Sequence, residues 1–222
     1  MLTGSKMKEG NDILKTGTTT VGIVCSDGII LAADKRVTLG GGYIVNQDIE
    51  KVIILTDNVA VTMAGNVSDV QLLLKMLKAE IQIKKMRREK EGSVKEAANL
   101  LARMVYNNIR KMSMLQGVSH FILAGKDDSG LHLYDIYPDG SINEVKTFVA
   151  SGSGSVYGAY SVLDTLYKEG ITIAEGTKLV AKAISAAMQR DTASGGGIDI
   201  IAITDKGIKK ILAKQMNTKL EI

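Results

Sequence analysis

The order of strand-like and helix-like segments is the feature of this chain that most restricts its fold. Segments rich in β-branched residues follow one another through short turns, whereas segments with a helical apolar repeat come in neighbouring pairs. Strands joined by short turns pair antiparallel, while a parallel sheet needs a long crossover after each strand. The sequence therefore predicts an α+β fold, an αββα four-layer sandwich of two antiparallel sheets between two helical layers.

The bounds of these elements follow from turn and cap signals. Strands are predicted at 19–26, 29–34, 43–45, 52–55, 59–64, 121–124, 131–136, 145–149, 198–204 and 208–212, a flexible glycine turn at 40–42, and the last two helices at 157–167 and 174–189. In the first helix pair, Ser68 with Gln71 and Ser93 with Glu96 have the spacing of a capping box. Gly92 is predicted to end the first helix of that pair.

Composition limits the classes of function. The chain has 222 residues, 45% of them hydrophobic and 23% charged, which suits one packed domain. The net charge is +4, and the basic run 84–88 is predicted to be a solvated helix end. No aromatic residues interleave with these basic residues, so no nucleic-acid partner is predicted.

Cysteine and histidine are too scarce for a metal centre. Cys25 is the one cysteine and there are two histidines, so a disulfide within the chain is excluded, and neither a metal nor a cofactor is predicted. Cys25 is predicted to be a small buried hydrophobe in a reducing compartment. No apolar run reaches the roughly 18 residues of a membrane span, and residues 1–17 lack the apolar centre of a secretory signal, which indicates a cytoplasmic protein.

The sequence around the Gly17–Thr18 bond predicts a cleavage site. Cutting this bond would give Thr18 a free amine beside its own hydroxyl, and an N-terminal amine is a recognised base for a threonine nucleophile. That amine has a pKa of about 7.7–8.0, so it can accept a proton near neutral pH. Residues 1–17 are then a leader and residues 18–222 a single catalytic domain. The alternative is that the threonine run only opens a β-strand.

Several further clusters can carry chemistry, and each has an ordinary structural interpretation. Asp34 ends an apolar strand, Lys51 precedes another, and Gly65 ends a third, where a backbone N–H can lie open. The loops 152–155 and 190–197 consist of small residues at helix ends, where serine and aspartate often act only as caps. Neither glycine-rich loop has the spacing of a phosphate-binding loop.

Taken in order, these motifs resemble one family. The set Thr-Gly-Thr-Thr-Thr-Val-Gly, Ala-Ala-Asp-Lys-Arg, Met-Ala-Gly, Gly-Ser-Gly-Ser and Gln-Arg-Asp-x-x-Ser-Gly-Gly is similar to that of proteasome β subunits of the archaeal type. The resemblance extends from Gly17 to about Leu212. It implies an N-terminal-nucleophile hydrolase, whose fold is the αββα sandwich that the order of elements already predicts.

The resemblance also implies roles for individual residues. Thr18 matches the nucleophile that the subunit exposes by cleaving its own leader after Gly17, and Gly65 matches the glycine whose N–H stabilises the oxyanion. Asp34 and Lys51 match the acid and the lysine beside the nucleophile. The remaining matches are residues near the threonine amine and along the bound substrate, namely Ser153, Asp191, Ser194, Thr38 and Val67.

The assignment of the lysine depends on a small gap. The segment from Thr38 to Lys51 is about one residue longer than the family pattern, which leaves Lys35 as the alternative. Lys51 is preferred because it precedes an apolar strand in a Glu-Lys-Val-Ile context. Val37, Met63 and Val67 would line an apolar side-chain pocket, which indicates cleavage after hydrophobic residues.

The implied protein is a catalytic β subunit of a 20S proteasome, a threonine endopeptidase made as a zymogen. Its implied partners are α subunits, other β subunits in stacked seven-membered rings, unfolded protein substrates and, indirectly, an ATPase regulator, with no nucleic acid and no membrane. Three alternatives remain: a structural ring subunit that does not process itself, the bacterial two-component threonine protease, and a metabolic amidohydrolase of the same fold.

Overall fold

A computed structural model describes residues 17–39, 42–114 and 116–215 of the chain. Most of the predicted leader (1–16) and two residues of the predicted glycine turn (40 and 41) lie outside the described residues. The described elements are β1 (Thr20–Cys25), β2 (Gly28–Asp34), β3 (Val37–Leu39), β4 (Tyr43–Asn46), β5 (Val52–Ile54), β6 (Val59–Gly65), α1 (Val67–Arg88), α2 (Val94–Ile109), β7 (Ser119–Asp127), β8 (Gly130–Ile136), β9 (Ile142–Glu144), β10 (Phe148–Ser151), a π-helical turn (Ser155–Ala159), α3 (Tyr160–Leu166), α4 (Ile173–Arg190), β11 (Gly197–Thr204) and β12 (Gly207–Gln215).

Two five-stranded sheets form the centre of the molecule. The first sheet has the strand order β10-β1-β2-β11-β12 and the second has the order β5-β6-β7-β8-β9. The strand pairs in both sheets are antiparallel, as are β3 and β4, which form a separate two-stranded ribbon. Short connections between consecutive strands account for this pairing.

Alternation along the strands produces separate layers of core. On β2, Ile30 and Ala32 face one helical layer, whereas Leu31 and Ala33 face the core between the sheets. The helical layer on the first sheet is built from the π-helical turn, α3 and α4. On the other side, α1 and α2 pack on the second sheet around residues such as Leu77. The αββα sandwich predicted from the order of elements is therefore confirmed.

Two of the predicted boundaries of α1 are wrong. The helix begins at Val67 with Asn66 as its N-cap, so Ser68 and Gln71 do not form the predicted capping box. Strand β6 runs directly into the helix, and the backbone N–H of Asn66 donates to Val118 across the sheet. The helix ends at Arg88, before the predicted stop at Gly92, because Glu89 adopts a left-handed backbone conformation (φ 52°).

The second capping prediction is partly confirmed. Ser93 is the N-cap of α2 and its side chain accepts a hydrogen bond from the N–H of Glu96 (3.1 Å). The Glu96 carboxylate pairs with Arg88. The basic end of α1 is thereby partly paired across the turn, since Lys85 also bonds Glu91.

The predicted strand 145–149 is wrong because residues 145–147 lie between two strands of different sheets, and only Phe148 and Val149 belong to a strand. Strand β9 (Ile142–Glu144) belongs to the second sheet and β10 (Phe148–Ser151) to the first. The chain crosses between them, and the N–H of Val145 still donates to Leu133 of the second sheet (2.8 Å). The predicted helix 157–167 also differs, because it begins two residues earlier, at Ser155, as a π-helical turn.

Cys25 is 8% exposed and packs in the core beneath α4, as predicted for a small hydrophobe.

Among the described residues, no helix is long and apolar enough to cross a membrane. The described ranges also contain no group of His, Cys, Asp and Glu side chains arranged to hold a metal ion.

Candidate active site

Three strand ends bring Thr18, Asp34 and Lys51 together. Thr18 lies two residues before β1, Asp34 ends the neighbouring strand β2, and Lys51 precedes β5 of the facing sheet. All three are buried. The Lys51 ammonium lies 3.1 Å from the Thr18 hydroxyl and 2.8 Å from the Asp34 carboxylate, and it donates a hydrogen bond to each.

Four donors hold the Asp34 carboxylate. Its Oδ1 accepts bonds from Lys51 and from the N–H of Thr19 (2.9 Å), and its Oδ2 accepts from the N–H groups of Arg36 (3.0 Å) and Gly195 (2.9 Å). A buried charge is tolerated only where it is paired and hydrogen-bonded. The carboxylate therefore fixes the lysine next to the threonine hydroxyl.

The environment of Lys51 lowers its pKa. Burial is the main cause because it disfavours the charged ammonium, while the charge and hydrogen bond of Asp34 act in the opposite direction. A lysine with a lowered pKa exchanges a proton more readily near neutral pH than an exposed lysine does. The site thus places a proton-transfer group within hydrogen-bond distance of Thr18.

A second network reaches the threonine from the helical side. The Ser153 hydroxyl accepts a bond from the backbone N–H of Thr18 (3.3 Å) and donates to Asp191 (2.6 Å). Ser194 donates to the same carboxylate oxygen (2.7 Å) and bonds the hydroxyl of Thr19 (2.7 Å). The three predicted residues of this network, Ser153, Asp191 and Ser194, therefore meet at one carboxylate beside the Thr18 nitrogen.

Thr19 and Arg36 are site residues that the motif analysis did not single out. Thr19 contacts Asp34 through its backbone and Ser194 through its side chain. Arg36 donates from its guanidinium to the carbonyl of Thr192 (2.9 Å), in the loop that carries Ser194. Both residues belong to motifs quoted above, but their side-chain contacts lie far apart in sequence and leave no local signal.

Lys35 does not reach Thr18. Its ammonium is paired with Asp48 and lies 3.8 Å from Asp199, on β11. Its backbone supports the site instead, since its N–H donates to Gly195 (2.9 Å) and its carbonyl accepts from Ile49 (3.0 Å). The structure thus brings Lys51 to the threonine and Lys35 to a separate ion pair.

The intact Gly17–Thr18 bond is tightly enclosed. The Thr18 hydroxyl donates to the carbonyl oxygen of Gly17 (2.7 Å), and the N–H of Gly17 donates to the hydroxyl of Thr38 (3.2 Å). A Cβ on Gly17 would overlap the side chain of Ala193 and would lie 3.0 Å from the Ser153 hydroxyl. A residue without a side chain is therefore needed at position 17.

An apolar depression opens beside Thr18. Its walls include the predicted pocket residues Val37, Met63 and Val67, together with Ile49, which the motif analysis did not name. Gly65 also lines it, with a φ of 116° that favours glycine.

Strand alternation fixes the direction of the Gly65 N–H. The N–H of Met63 donates to the carbonyl of Lys51 (3.0 Å), whereas the N–H of Asn66 donates to Val118 on the other edge of the strand. Backbone groups alternate between the two edges of a strand, so the Gly65 N–H lies on the edge that faces Lys51. That edge also borders the depression.

Comparison with known proteins identifies the family. The proteasome subunit family, described as "Proteasome subunit", matches residues 14–203. The matched region covers most of the chain and includes Thr18, Asp34, Lys51 and the Ser153–Asp191–Ser194 network. The chain belongs to the proteasome family.

The similar proteins indicate which type of proteasome subunit the chain resembles, namely the β subunit. The chain is 38% identical over 211 residues to "Proteasome subunit beta" of Ferroglobus placidus, with 95% of this chain and 98% of the relative covered. It is 40% identical to the protein of the same name from Methanocaldococcus vulcanius (92% of this chain, 89% of the relative) and to that from Methanohalophilus mahii (95% and 98%). Similarity of this extent supports a proteasome β subunit of the archaeal type.

Proposed function

We propose that this chain is a catalytic proteasome β subunit, a threonine endopeptidase whose nucleophile is Thr18. The observation that carries the proposal is the Lys51 ammonium, which bonds the Thr18 hydroxyl (3.1 Å) and the Asp34 carboxylate (2.8 Å) in a buried site. A structural subunit has no need of a buried lysine held against a threonine hydroxyl. Such a lysine, with its pKa lowered by burial, suits proton transfer at a nucleophile.

Residues 1–17 would first leave as a leader. The Thr18 hydroxyl gives its proton to Lys51 in its neutral form as its oxygen attacks the carbonyl carbon of Gly17, the C–N bond to Thr18 breaks, and the nitrogen takes up a proton to become a free amine. Water then hydrolyses the resulting ester, which releases a leader ending in the Gly17 carboxylate and restores the Thr18 hydroxyl. The Ser153 hydroxyl lies 3.3 Å from the Thr18 nitrogen and is held in place by Asp191, so it can relay to this nitrogen the proton that Lys51 took up.

The mature subunit would repeat this chemistry on peptides. The Thr18 hydroxyl gives up its proton within the group formed by its own amine and Lys51, and its oxygen forms an ester with the substrate carbonyl. The Gly65 N–H faces the place where the oxyanion develops, and a donor of this kind is worth on the order of 3 kcal/mol. The protonated group then donates a proton to the amine of the substrate as its C–N bond breaks, and water hydrolyses the ester to release the second product and restore the Thr18 hydroxyl.

The depression beside Thr18 would bind the side chain before the cleaved bond. Its apolar walls, Val37, Met63 and Val67, favour hydrophobic residues there. The Thr38 hydroxyl, which bonds the N–H of Gly17, marks the path of the backbone in the intact precursor. A bound peptide would pair along the same path, with Thr38 and Val67 beside it.

Membership of the proteasome family supports a proposal about the assembly. The relatives are named proteasome β subunits, and we propose a core of stacked seven-membered β rings between α-subunit rings. The substrates would be unfolded proteins in the cytoplasm, delivered through an ATPase regulator.

The test uses the subunit assembled with α subunits. Thr18→Ala should retain residues 1–17 and cleave no fluorogenic peptide with a hydrophobic residue before the reporter, because it lacks the attacking oxygen. Thr18→Ser keeps an oxygen at that position and should retain part of both activities. Intact-mass measurement of the N-terminus and initial cleavage rates give the two readouts.

The alternatives make different predictions in the same experiment. A structural ring subunit would keep its leader and cleave nothing even as the wild-type chain. A metabolic amidohydrolase would hydrolyse small amides but not peptides. Normal peptide cleavage by Thr18→Ala would refute the proposal outright.

A further inference from the structure

A short segment between α2 and β7 packs against Gly65. We call this segment, Gln116–Val118, the strap. The N–H of Asn66 donates to the carbonyl of Val118 (2.9 Å), and a Cβ on Gly65 would overlap that same carbonyl oxygen. The position of the strap therefore limits where the Gly65 peptide can lie.

Two asparagines hold the strap by its carbonyl groups. The side-chain amide of Asn66 donates to the carbonyl of Gln116 (2.8 Å), and that of Asn108 donates to the carbonyl of Gly117 (3.2 Å). With the Asn66 N–H on Val118, three successive carbonyls are bonded. The strap is thus fixed along its whole length.

Asn108 is the buried member of this pair. It is 7% exposed near the end of α2, and its amide also donates to Asp69 (3.1 Å) in the first turn of α1. A Cβ on Gly117 would overlap the Asn108 amide, so glycine permits the close approach. One amide thus joins the start of α1, the end of α2 and the strap.

We infer that Asn108 is a positioning residue, which acts through the strap to fix the Gly65 peptide where it meets the oxyanion. This inference rests on the proposed function, since the Gly65 N–H matters only if Thr18 attacks a carbonyl. An oxyanion donor acts only within hydrogen-bond distance, and a displacement of about 1 Å can cost on the order of a hundredfold in rate. Asn108 touches neither substrate nor Thr18, so it contributes through geometry alone.

The effect should be on kcat and not on KM. The bond to the oxyanion forms in the transition state, so a displaced donor lowers kcat while ground-state binding is retained. Binding depends on the apolar depression, to which Gly65 contributes only backbone, while the side chains of its walls, such as Val37, Ile49 and Met63, lie outside the strap and its two asparagines. A general loss of structure would change both constants and the thermal stability together.

The first experiment replaces the buried amide in the subunit assembled with α subunits. In Asn108→Asp, kcat per processed subunit should fall by about tenfold or more, with KM nearly unchanged. Asn107→Asp is the matched control, because it is the same substitution at an exposed neighbouring position. A wild-type kcat in Asn108→Asp overturns the inference.

A paired swap separates positioning from simple helix packing. Asp69→Asn combined with Asn108→Asp restores an amide–carboxylate bond between α1 and α2 at the same net charge, but leaves the carbonyl of Gly117 without its donor. If the strap positions Gly65, the Tm recovers and kcat stays low. Recovery of kcat together with Tm would mean that the bond between the helices suffices, and would overturn the inference.

A third variant avoids the buried amide. Asn66→Asp removes the donor to Gln116, keeps a good N-cap residue, and should lower kcat without raising KM. Unchanged kcat here overturns the role of the strap even if the Asn108 variants do not assemble. Failure of the proposed function is distinguishable, since the wild-type complex itself would then cleave no peptide.

Discussion

At the residue scale, the arrangement of the two lysines near Asp34 decides which of them can act. Lys51 is bonded to Thr18, whereas Lys35 is paired with Asp48 and lies near Asp199. A buried ammonium is stable here because Asp34 compensates it. Chemistry at Thr18 is therefore expected to depend on one lysine and to tolerate changes in the other.

We predict that Lys51→Ala lowers peptide cleavage by about a hundredfold or more, since it removes a proton-transfer group. Lys35→Ala serves as the control and should keep at least part of the activity. Initial rates of fluorogenic peptide cleavage by the assembled complex give the comparison. An inactive Lys35→Ala beside an active Lys51→Ala would reverse the assignment.

Gly17 offers a prediction on the leader alone. Gly17→Ala should slow leader removal by about tenfold or more, because its Cβ overlaps Ala193 and displaces the bond that Thr18 attacks. Time-resolved intact mass measures the rate. Adding Ala193→Gly should recover part of the rate of leader removal, since it removes the Ala193 Cβ that the new side chain would overlap.

The mature subunit provides the internal control for that prediction. Residue 17 is absent once the leader has gone, so a Gly17→Ala subunit whose Thr18 is freed by an engineered protease site should cleave peptides normally. Leader removal at the wild-type rate in Gly17→Ala would show that the tight enclosure of Gly17 has no part in the reaction.

Much of the candidate site was predictable from local motifs. Asp34, Lys51 and Gly65 lie at strand ends, where a change of pattern marks them, and the structure brings them together around Thr18. Thr19 and Arg36 were missed because their side chains act across the fold, on Ser194 and on the carbonyl of Thr192. Contacts of this kind have no periodic signal in the sequence.

At the element scale, the π-helical turn and α4 are packed at backbone distance. A Cβ on Gly158 would lie 2.6 Å from the backbone nitrogen of Ala187 and 2.7 Å from the carbonyl carbon of Ala186. Backbone atoms cannot rotate away as a side chain can. The two helical segments must therefore separate if position 158 gains a side chain.

Gly158→Ala should destabilise the subunit by about 1–3 kcal/mol, the usual cost of overpacking. Gly42→Ala is the control, because no atom of the described part of the chain lies within 4 Å of the Cβ it would add. Thermal unfolding followed by circular dichroism measures both. Equal Tm values for the two variants would show that the contact relaxes without cost.

Element type was easier to predict than element boundaries. Alternation and helical periodicity identify the strands and helices because burial on one face imposes them. The start of α1 is different, since the Asn66 side chain makes no capping bond to the helix and instead donates to the strap. The crossing of the chain from one sheet to the other at residues 145–147 is likewise a tertiary outcome that local pattern does not show.

At the scale of the whole molecule, Cys25 reports on the integrity of the sandwich. It lies in the core between the first sheet and α4, and burial raises the pKa of its thiol to about 12, with a smaller contribution from Asp27. The thiolate is the reactive form. The folded protein should therefore resist thiol reagents until the layers separate.

We predict that at pH 8 the thiol reacts about a thousandfold more slowly in the folded subunit than in denaturant, which is the ratio of thiolate fractions for pKa values of about 12 and 9. The native rate should keep rising with pH above 9, where the denatured rate levels off. Mass-spectrometric labelling kinetics measure both. Rapid labelling in native buffer would contradict the closed packing around Cys25.

The position of Gly17 also affects when a newly made subunit begins to cleave other proteins. Gly17 lines the same depression as Thr18, and its N–H is bonded to Thr38. On the proposed function, Gly17 blocks the depression in a newly made subunit, so the first bond that the subunit cleaves is its own Gly17–Thr18 bond. Release of the leader would be a first-order reaction in each molecule, with a rate that does not depend on the concentration of active subunits. The start of proteolysis would therefore be set by the rate constant of this intramolecular step.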